Sequence, residues 1–149
     1  MKNILLKASG DVLHNPKFIK FVQGKAVGNR VVVICGGGTQ ISNALVEAGY
    51  KIEYDDLGRV VKTEKEKRIV ENILGKQKNT LRKSVGAQKV EIVVPVLKAG
   101  TVSCHINGDN LVKAYYLGFD AVYVFTLKDR IGAKKKFFKD FPKVKVVGI

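Results

Sequence analysis

Three consecutive glycines follow a run of apolar and β-branched residues, and this stretch is the best candidate for chemistry. Val31–Cys35 has the composition of a buried strand, Gly36, Gly37 and Gly38 come next, and a helical pattern begins behind them. Glycine backbone tolerates positive φ and lets N–H groups approach a ligand, while a helix N-terminus adds donors and partial positive charge. The pattern predicts an anion cradle, most often for phosphate. The alternative is a tight turn that needs glycine only for packing.

Other polar residues stand where the pattern predicts that strands end. Lys7 closes the first predicted strand and Gly10 follows it, whereas Thr126 and Asp129 come after a later strand. Asp109 falls in the first turn of a predicted helix. Open α/β folds bind ligands at the carboxyl ends of parallel strands, so these residues are candidates for one site. For Lys7, the alternative is a side chain that extends to solvent at the strand edge.

Short apolar strand patterns alternate with helical patterns along the whole chain. This alternation predicts an α/β fold, a three-layer α/β/α sandwich with a mostly parallel central sheet, in one domain over residues 1–149. Thr63 and Glu66 form a capping-box pattern that begins a helix reaching about Val85. Residues 90–97 are predicted to form one strand, and residues 127–132 a polar loop.

Composition limits the partners and the compartment. Lysine and arginine total 27 against 13 aspartates and glutamates, a net charge of +14, which suits nucleotides, carboxylated metabolites, nucleic acid or acidic membrane surfaces. We find no signal-peptide or membrane-spanning pattern. Cys35 and Cys104 lie in apolar contexts, so we expect buried thiols in a reducing cytoplasm. With isolated His14 and His105, no metal-ligand spacing is present.

Five segments, taken in order, resemble the amino acid kinase family, and together they span nearly the whole chain. The segments are Lys7-Ala8-Ser9-Gly10, the glycine motif at 36–41, the hairpin and helix at 58–76, His105-Ile106-Asn107-Gly108-Asp109, and Thr126-Leu127-Lys128-Asp129. The resemblance implies the fold of that family and phosphoryl transfer from ATP, with Mg²⁺ bridging the phosphates, to a carboxylate acceptor such as N-acetylglutamate.

The resemblance also implies a role for each site residue. Lys7 would stabilise the transferring phosphoryl group, and Asp109 would orient the catalytic lysines. The acceptor ligands would be Gly36, Gly37, Gly38, Arg59, His105 and Asn107. The nucleotide would lie near Gly10, Thr126 and Asp129. No protein side chain is implied as a direct metal ligand, and a homodimer through the helix at 63–84 is implied as well.

The sequence departs from the family pattern in its nucleotide half. The family normally continues past the nucleotide loop and supplies a second catalytic lysine there, so Lys134, Lys135 or Lys136, or a neighbouring subunit, would have to replace it. His105 stands where the family has asparagine, and Arg130 where it has glycine. These departures keep open a non-catalytic ligand-binding or regulatory relative that has lost the ATP site.

A third hypothesis is a nucleic-acid binder that uses the basic C-terminal segment. Phe137 and Phe138 lie beside lysines there, but no RNA- or DNA-binding motif is present, so a nucleic-acid partner is not expected. A membrane partner is not expected either.

Overall fold

The structure is a computed structural model that describes residues 1–86 and 89–149. The strands are β1 (Asn3–Ala8), β2 (Arg30–Cys35), β3 (Tyr54–Asp55), β4 (Gly58–Arg59), β5 (Val90–Val93), β6 (Val96–Ala99), β7 (Val102–His105), β8 (Ala121–Thr126) and β9 (Val144–Gly148). The helices are α1 (Pro16–Ala26), α2 (Gly38–Glu47), α3 (Glu64–Val85), α4 (Gly108–Tyr115) and α5 (Ile131–Phe137). Short 3₁₀ turns cover Tyr116–Gly118 and Lys128–Arg130.

A five-stranded sheet in the order β5-β2-β1-β8-β9 forms the centre of the fold. Every neighbouring pair in it is parallel. Ala8 at the end of β1 pairs in register with Cys35 of β2 and Phe125 of β8. The carboxyl ends of the three central strands therefore meet at one edge, where the sequence placed its candidate residues.

Helices cover both faces of the sheet. Neighbouring side chains of a strand point to opposite faces, so one strand contributes to both layers of the core. Leu6 packs with Phe18 of α1 and Leu81 of α3 on one face. Leu5 packs with Leu111 of α4 and with Phe138 on the other. Each fully buried side chain of this kind contributes about 1.5–3 kcal/mol of transfer free energy. The α/β fold with a parallel sheet between two helical layers is confirmed.

Helix α3 follows the predicted pattern closely. The Thr63 side chain accepts a hydrogen bond from the Glu66 N–H at 3.2 Å, and the Glu66 carboxylate accepts one from the Thr63 N–H at 2.6 Å. This capping box begins the helix, which continues through Gly75 to Val85. Gly86 has φ of +73° just beyond its end, a conformation that favours glycine.

Two predicted segments differ in the structure. The single strand predicted at 90–97 is interrupted at Pro95, which has no N–H to donate to a ladder. Strand β5 stays in the main sheet, whereas β6 pairs antiparallel with β7 in a separate hairpin. The predicted loop at 127–132 is also wrong, because it contains the 3₁₀ turn and the start of α5.

The two cysteines lie in different environments. Cys35 is buried as predicted, and burial raises the pKa of its thiol to about 12. Cys104 is exposed, so the prediction of a buried thiol there is wrong, because the β6–β7 hairpin that carries it stands largely in solvent. Over residues 1–86 and 89–149, no helix combines the length and the apolar character that crossing a membrane requires.

Candidate functional site

A cleft of about 370 Å³ opens at the carboxyl edge of the sheet. Its walls come from the loops after β1 and β2, the β3–β4 hairpin, the start of α4, and the segment that begins α5. Nine of the residues predicted from sequence line it: Lys7, Gly10, Gly36, Gly37, Gly38, Arg59, His105, Asn107 and Asp109. Residues separated by up to about a hundred positions are thus brought to one place.

Two predicted residues are not brought to the cleft. Thr126 is fully buried at the end of β8, and Asp129 is exposed in the 3₁₀ turn. Neither belongs to the cleft lining. Arg130 and Lys134 do line it from the same segment. From the sequence, Lys134 was predicted only as a substitute lysine and Arg130 was not predicted as a site residue, because the segment at 127–132 was predicted to be a loop.

The glycines of the site divide into two groups. Gly36 is needed for packing, because its N–H donates to the Ala8 carbonyl at 2.8 Å and an added Cβ would lie 2.8 Å from the Gly10 nitrogen. Gly10 is similar, since its Cβ would lie 2.9 Å from Gly37 Cα. At Gly38 a Cβ would meet no atom within 4 Å. Close packing explains Gly36 and Gly10, whereas Gly38 borders open space at the start of α2.

Arg59 is held in the cleft wall by uncharged acceptors. Its residue is 9% exposed, and Nη2 donates to the Gly38 carbonyl at 2.9 Å, Ser42 Oγ at 2.7 Å and Tyr54 Oη at 3.0 Å. Gly58 has φ of +129° and packs against Asn107, with 2.7 Å between an added Cβ and Asn107 Cβ. This contact places β4 and therefore Arg59. Among residues 1–86 and 89–149, no carboxylate forms an ion pair with this guanidinium.

His105 is a neutral side chain in the same wall. Burial, and next the charge of Arg59, lower its pKa to about 4. His105 Nδ1, Arg59 Nε and Ser9 Oγ are buried and have no hydrogen-bond partner among the described residues. Buried polar atoms in folded proteins are nearly always paired, so three unpaired atoms on one cleft favour a ligand that supplies partners.

Asp109 lies between two lysines in another part of the cleft lining. Lys7 Nζ is 2.9 Å from Asp109 Oδ1, and Lys134 Nζ donates to Oδ2. The side chains of Lys7 and Asp109 are only 6% and 5% exposed. The Asn107 side chain accepts from the Asp109 N–H at 2.8 Å, which caps α4 and fixes the carboxylate.

The ionisation of this triad follows from its surroundings. Burial lowers the pKa of the Lys7 amine, opposed by Asp109 and reinforced by Lys134. Burial acts to raise the pKa of Asp109, but the two lysines outweigh it and the net direction is downward. Asp109 is therefore a carboxylate, and Lys7 an amine whose charge depends on it.

A second carboxylate–cation pair, Asp11 with Arg130, also lines the cleft. Asp11 Oδ2 accepts from Thr39 Oγ1 at 3.0 Å and from Arg130 Nη1 at 3.1 Å. The cleft lining thus contains four cationic side chains and two carboxylates. The carboxylates Asp11 and Asp109 are both ion-paired. A cleft with surplus positive charge and no free carboxylate suits an acidic ligand.

Comparison with known proteins shows the fold of the chain and no more. No protein-family model and no curated protein matches it. Two solved structures of N-acetylglutamate synthase from Neisseria gonorrhoeae match. The complex with coenzyme A and N-acetyl-glutamate has a TM-score of 0.65, 13% identity, and covers 86% of this chain and 42% of that chain. The complex with coenzyme A and L-arginine has a TM-score of 0.63 and 12% identity, and covers 86% of this chain and 44% of that chain.

A third structure covers more of its own length. It is smu.665 from Streptococcus mutans UA159, with a TM-score of 0.67 and 15% identity over 85% of this chain and 72% of that one. The chain therefore spans less than half of the synthase structures that it matches.

These matches overturn the amino acid kinase prediction. The three structures compared above are described as N-acetylglutamate synthase, in two cases, and as smu.665, and not as amino acid kinases. The synthase structures are complexes with coenzyme A, so ATP and Mg²⁺, the kinase activity and the ATP partner have no support. The expected homodimer rested on the same resemblance and is withdrawn. The physical reason is that the short glycine motifs reported how closely the backbone packs, as Gly36 and Gly10 show, rather than a reaction.

Proposed function

We propose that residues 1–149 form one binding module for a small acidic metabolite that carries a carboxylate. The observation that carries the proposal is the setting of Arg59, a buried guanidinium in a cleft wall whose protein acceptors are all uncharged. Nη1 makes no hydrogen bond to the described residues and has donors for a carboxylate. The first turn of α2, which has no side-chain cap, lies beside it with further N–H groups.

The ligand has a second acidic group in this proposal. Three further cations, Lys7, Lys134 and Arg130, line the same cleft. They outnumber the carboxylates of Asp11 and Asp109 there. A diacid would place one group at Arg59 and the other among these cations.

A free ammonium group is unfavourable in the same cleft. Asp11 and Asp109 already pair with cations, so an α-ammonium group would meet positive charge with no carboxylate available. Neutral His105 provides a hydrogen-bonding atom and no charge. The cleft therefore favours diacids whose nitrogen is absent or acylated. Of the small molecules in the synthase complexes, N-acetyl-glutamate has this chemistry and L-arginine does not.

Calorimetric titration at low salt tests this order. We expect N-acetylglutamate to bind, free glutamate to bind at least about tenfold more weakly because of its ammonium group, and L-arginine to show no heat of binding. Coenzyme A completes the set, since both synthase structures contain it. Binding of coenzyme A or L-arginine in preference to N-acetylglutamate would contradict the proposal.

A matched pair of glycine variants locates the binding. An added Cβ meets no atom within 4 Å at Gly38 in the cleft or at Gly24 in α1. Both Gly38→Ala and Gly24→Ala should fold, and alanine in a helix is more stable than glycine by about 0.5–1 kcal/mol. Only Gly38→Ala should weaken binding, because its methyl group occupies the ligand space. Equal affinities for the two variants would place the ligand elsewhere.

The proposal includes a cytoplasmic location. Cys35 and Cys104 are both free thiols, which suits a reducing compartment. Cell fractionation with an antibody to the chain tests this.

A further inference from the structure

One acidic residue of the cleft occupies a position suited to a ligand. Asp11 Oδ2 accepts hydrogen bonds from Thr39 Oγ1 at 3.0 Å and Arg130 Nη1 at 3.1 Å. Thr39 belongs to the first turn of α2, whose preceding residue Gly37 provides no side-chain cap. A hydroxyl, a guanidinium and an uncapped helix start are the donors that bind anions in proteins.

The backbone brings Asp11 to this position. Gly10 packs against the start of α2 so closely that an added Cβ would lie 2.9 Å from Gly37 Cα. The next residue therefore has its carboxylate beside the helix. The Asp11 side chain is 18% exposed and the Arg130 side chain 48% exposed. This pair is more open to solvent than the Lys7–Asp109 pair, whose side chains are 6% and 5% exposed, and it is the more easily separated.

We propose that Asp11 is a specificity-determining residue, an internal carboxylate that the second acidic group of the ligand must displace. The inference rests on the proposed function, in which a first acidic group lies at Arg59. When the second group binds, Arg130 and Thr39 exchange the Asp11 carboxylate for that of the ligand, and Asp11 turns toward solvent. Asp11 thereby lowers the affinity for diacids and leaves that for monoacids unchanged.

Two probe acids of equal length separate the ends of the cleft. Glutarate has a carboxylate at both ends of a five-carbon chain, whereas pentanoate has only one. We expect Asp11→Asn to bind glutarate at least about tenfold more tightly than the unmodified chain, since Arg130 is then unpaired. Pentanoate affinity should change less than about threefold, because a single carboxylate engages Arg59.

The control removes the same charge elsewhere. Asp140 is exposed beyond α5 and does not line the cleft. Asp140→Asn should leave the preference for glutarate over pentanoate unchanged. In an Arg130→Gln background, Asp11→Asn should give a smaller gain, because the cation that it releases is absent.

The outcomes distinguish this inference from the function on which it rests. Weaker glutarate binding in Asp11→Asn would show that Asp11 positions Arg130, and an equal gain for both acids would show a general charge effect. Either result overturns the inference and keeps the proposed function. If neither acid binds the unmodified chain or Asp11→Asn, both proposals are overturned.

Discussion

Two groups of cleft residues contain similar cations in different settings, and we call them the arginine end and the lysine end. At one end, Arg59 is hydrogen-bonded to a carbonyl, a serine hydroxyl and a tyrosine hydroxyl, none of them charged. At the other, Lys7 and Lys134 share the carboxylate of Asp109. The first arrangement fixes a side chain and leaves its charge for a ligand. The second neutralises much of its charge within the protein, so we expect it to matter first for stability.

The largest expected effect comes from removing the shared carboxylate. Asp109→Asn leaves Lys7 buried beside Lys134 with no counter-charge, and breaking a buried ion pair in this way costs about 3–5 kcal/mol. Denaturant unfolding would measure the loss. The exposed Asp140→Asn serves as the control and should be nearly neutral. If Asp109→Asn were as stable as the unmodified chain, the Lys7–Asp109–Lys134 cluster would not be needed for stability.

Arg59→Gln should lower ligand affinity more than it lowers stability, the opposite of Asp109→Asn. Its acceptors are uncharged, so its loss leaves no charge unpaired, while the ligand carboxylate loses its main partner. We expect the affinity for N-acetylglutamate to fall by about 3 kcal/mol, more than a hundredfold, with a smaller change in unfolding free energy. Arg68→Gln on the exposed face of α3 controls for net charge. Unchanged affinity would move the primary anion site to the lysine end.

Acid should separate the two ends by pH. The folded pKa of His105, about 4, lies below its ordinary value of 6.5, so the neutral form is favoured by folding. Its contribution, on the order of 3 kcal/mol, is complete above pH 6.5 and is lost as the pH falls toward 4. The folded pKa of Asp109 is also lowered, so its contribution is lost only below its ordinary value of 3.8.

A stability curve against pH checks this separation. His105→Gln should flatten the curve between pH 6.5 and 4 and keep the steep loss at lower pH. Asp109→Asn should keep the first slope and flatten the second. If each variant changed the curve over the same pH range, His105 and Asp109 would titrate as one coupled unit.

The sequence predicts most of the fold because local and global preferences agree. The capping box at Thr63 and Glu66 and the alternation of strand and helix patterns follow from residue type and periodicity. The failures come where a neighbour decides the outcome. Pro95 divides a run of strand-forming residues into two sheets, and the hairpin that results exposes Cys104.

The location of the candidate site is predictable from the sequence, whereas the set of charged residues that line it is less so. Residues at the ends of β1 and β2 had to meet, because the strands are parallel neighbours. The contribution of Arg130 depends on how the 3₁₀ turn at Lys128–Arg130 leads into α5, which residue patterns in a six-residue segment do not show. The assignment to a kinase came from glycine motifs, and close packing explains two of those glycines, Gly10 and Gly36.

The smallest expected effect belongs to Tyr54. The hydrogen bond from Arg59 lowers the pKa of the Tyr54 hydroxyl, so Tyr54 should ionise at a lower pH than an ordinary tyrosine in a spectrophotometric titration. Tyr54→Phe and Arg59→Gln should both remove that early component. Tyr54→Phe takes one of three acceptors from Arg59 and none of its charge, so ligand affinity should change less than about tenfold. A loss of affinity as large as that of Arg59→Gln would mean that the tyrosine hydroxyl contacts the ligand. Tyr54 and Arg59 would then bind the ligand together, and the charge of Arg59 alone would not explain the affinity.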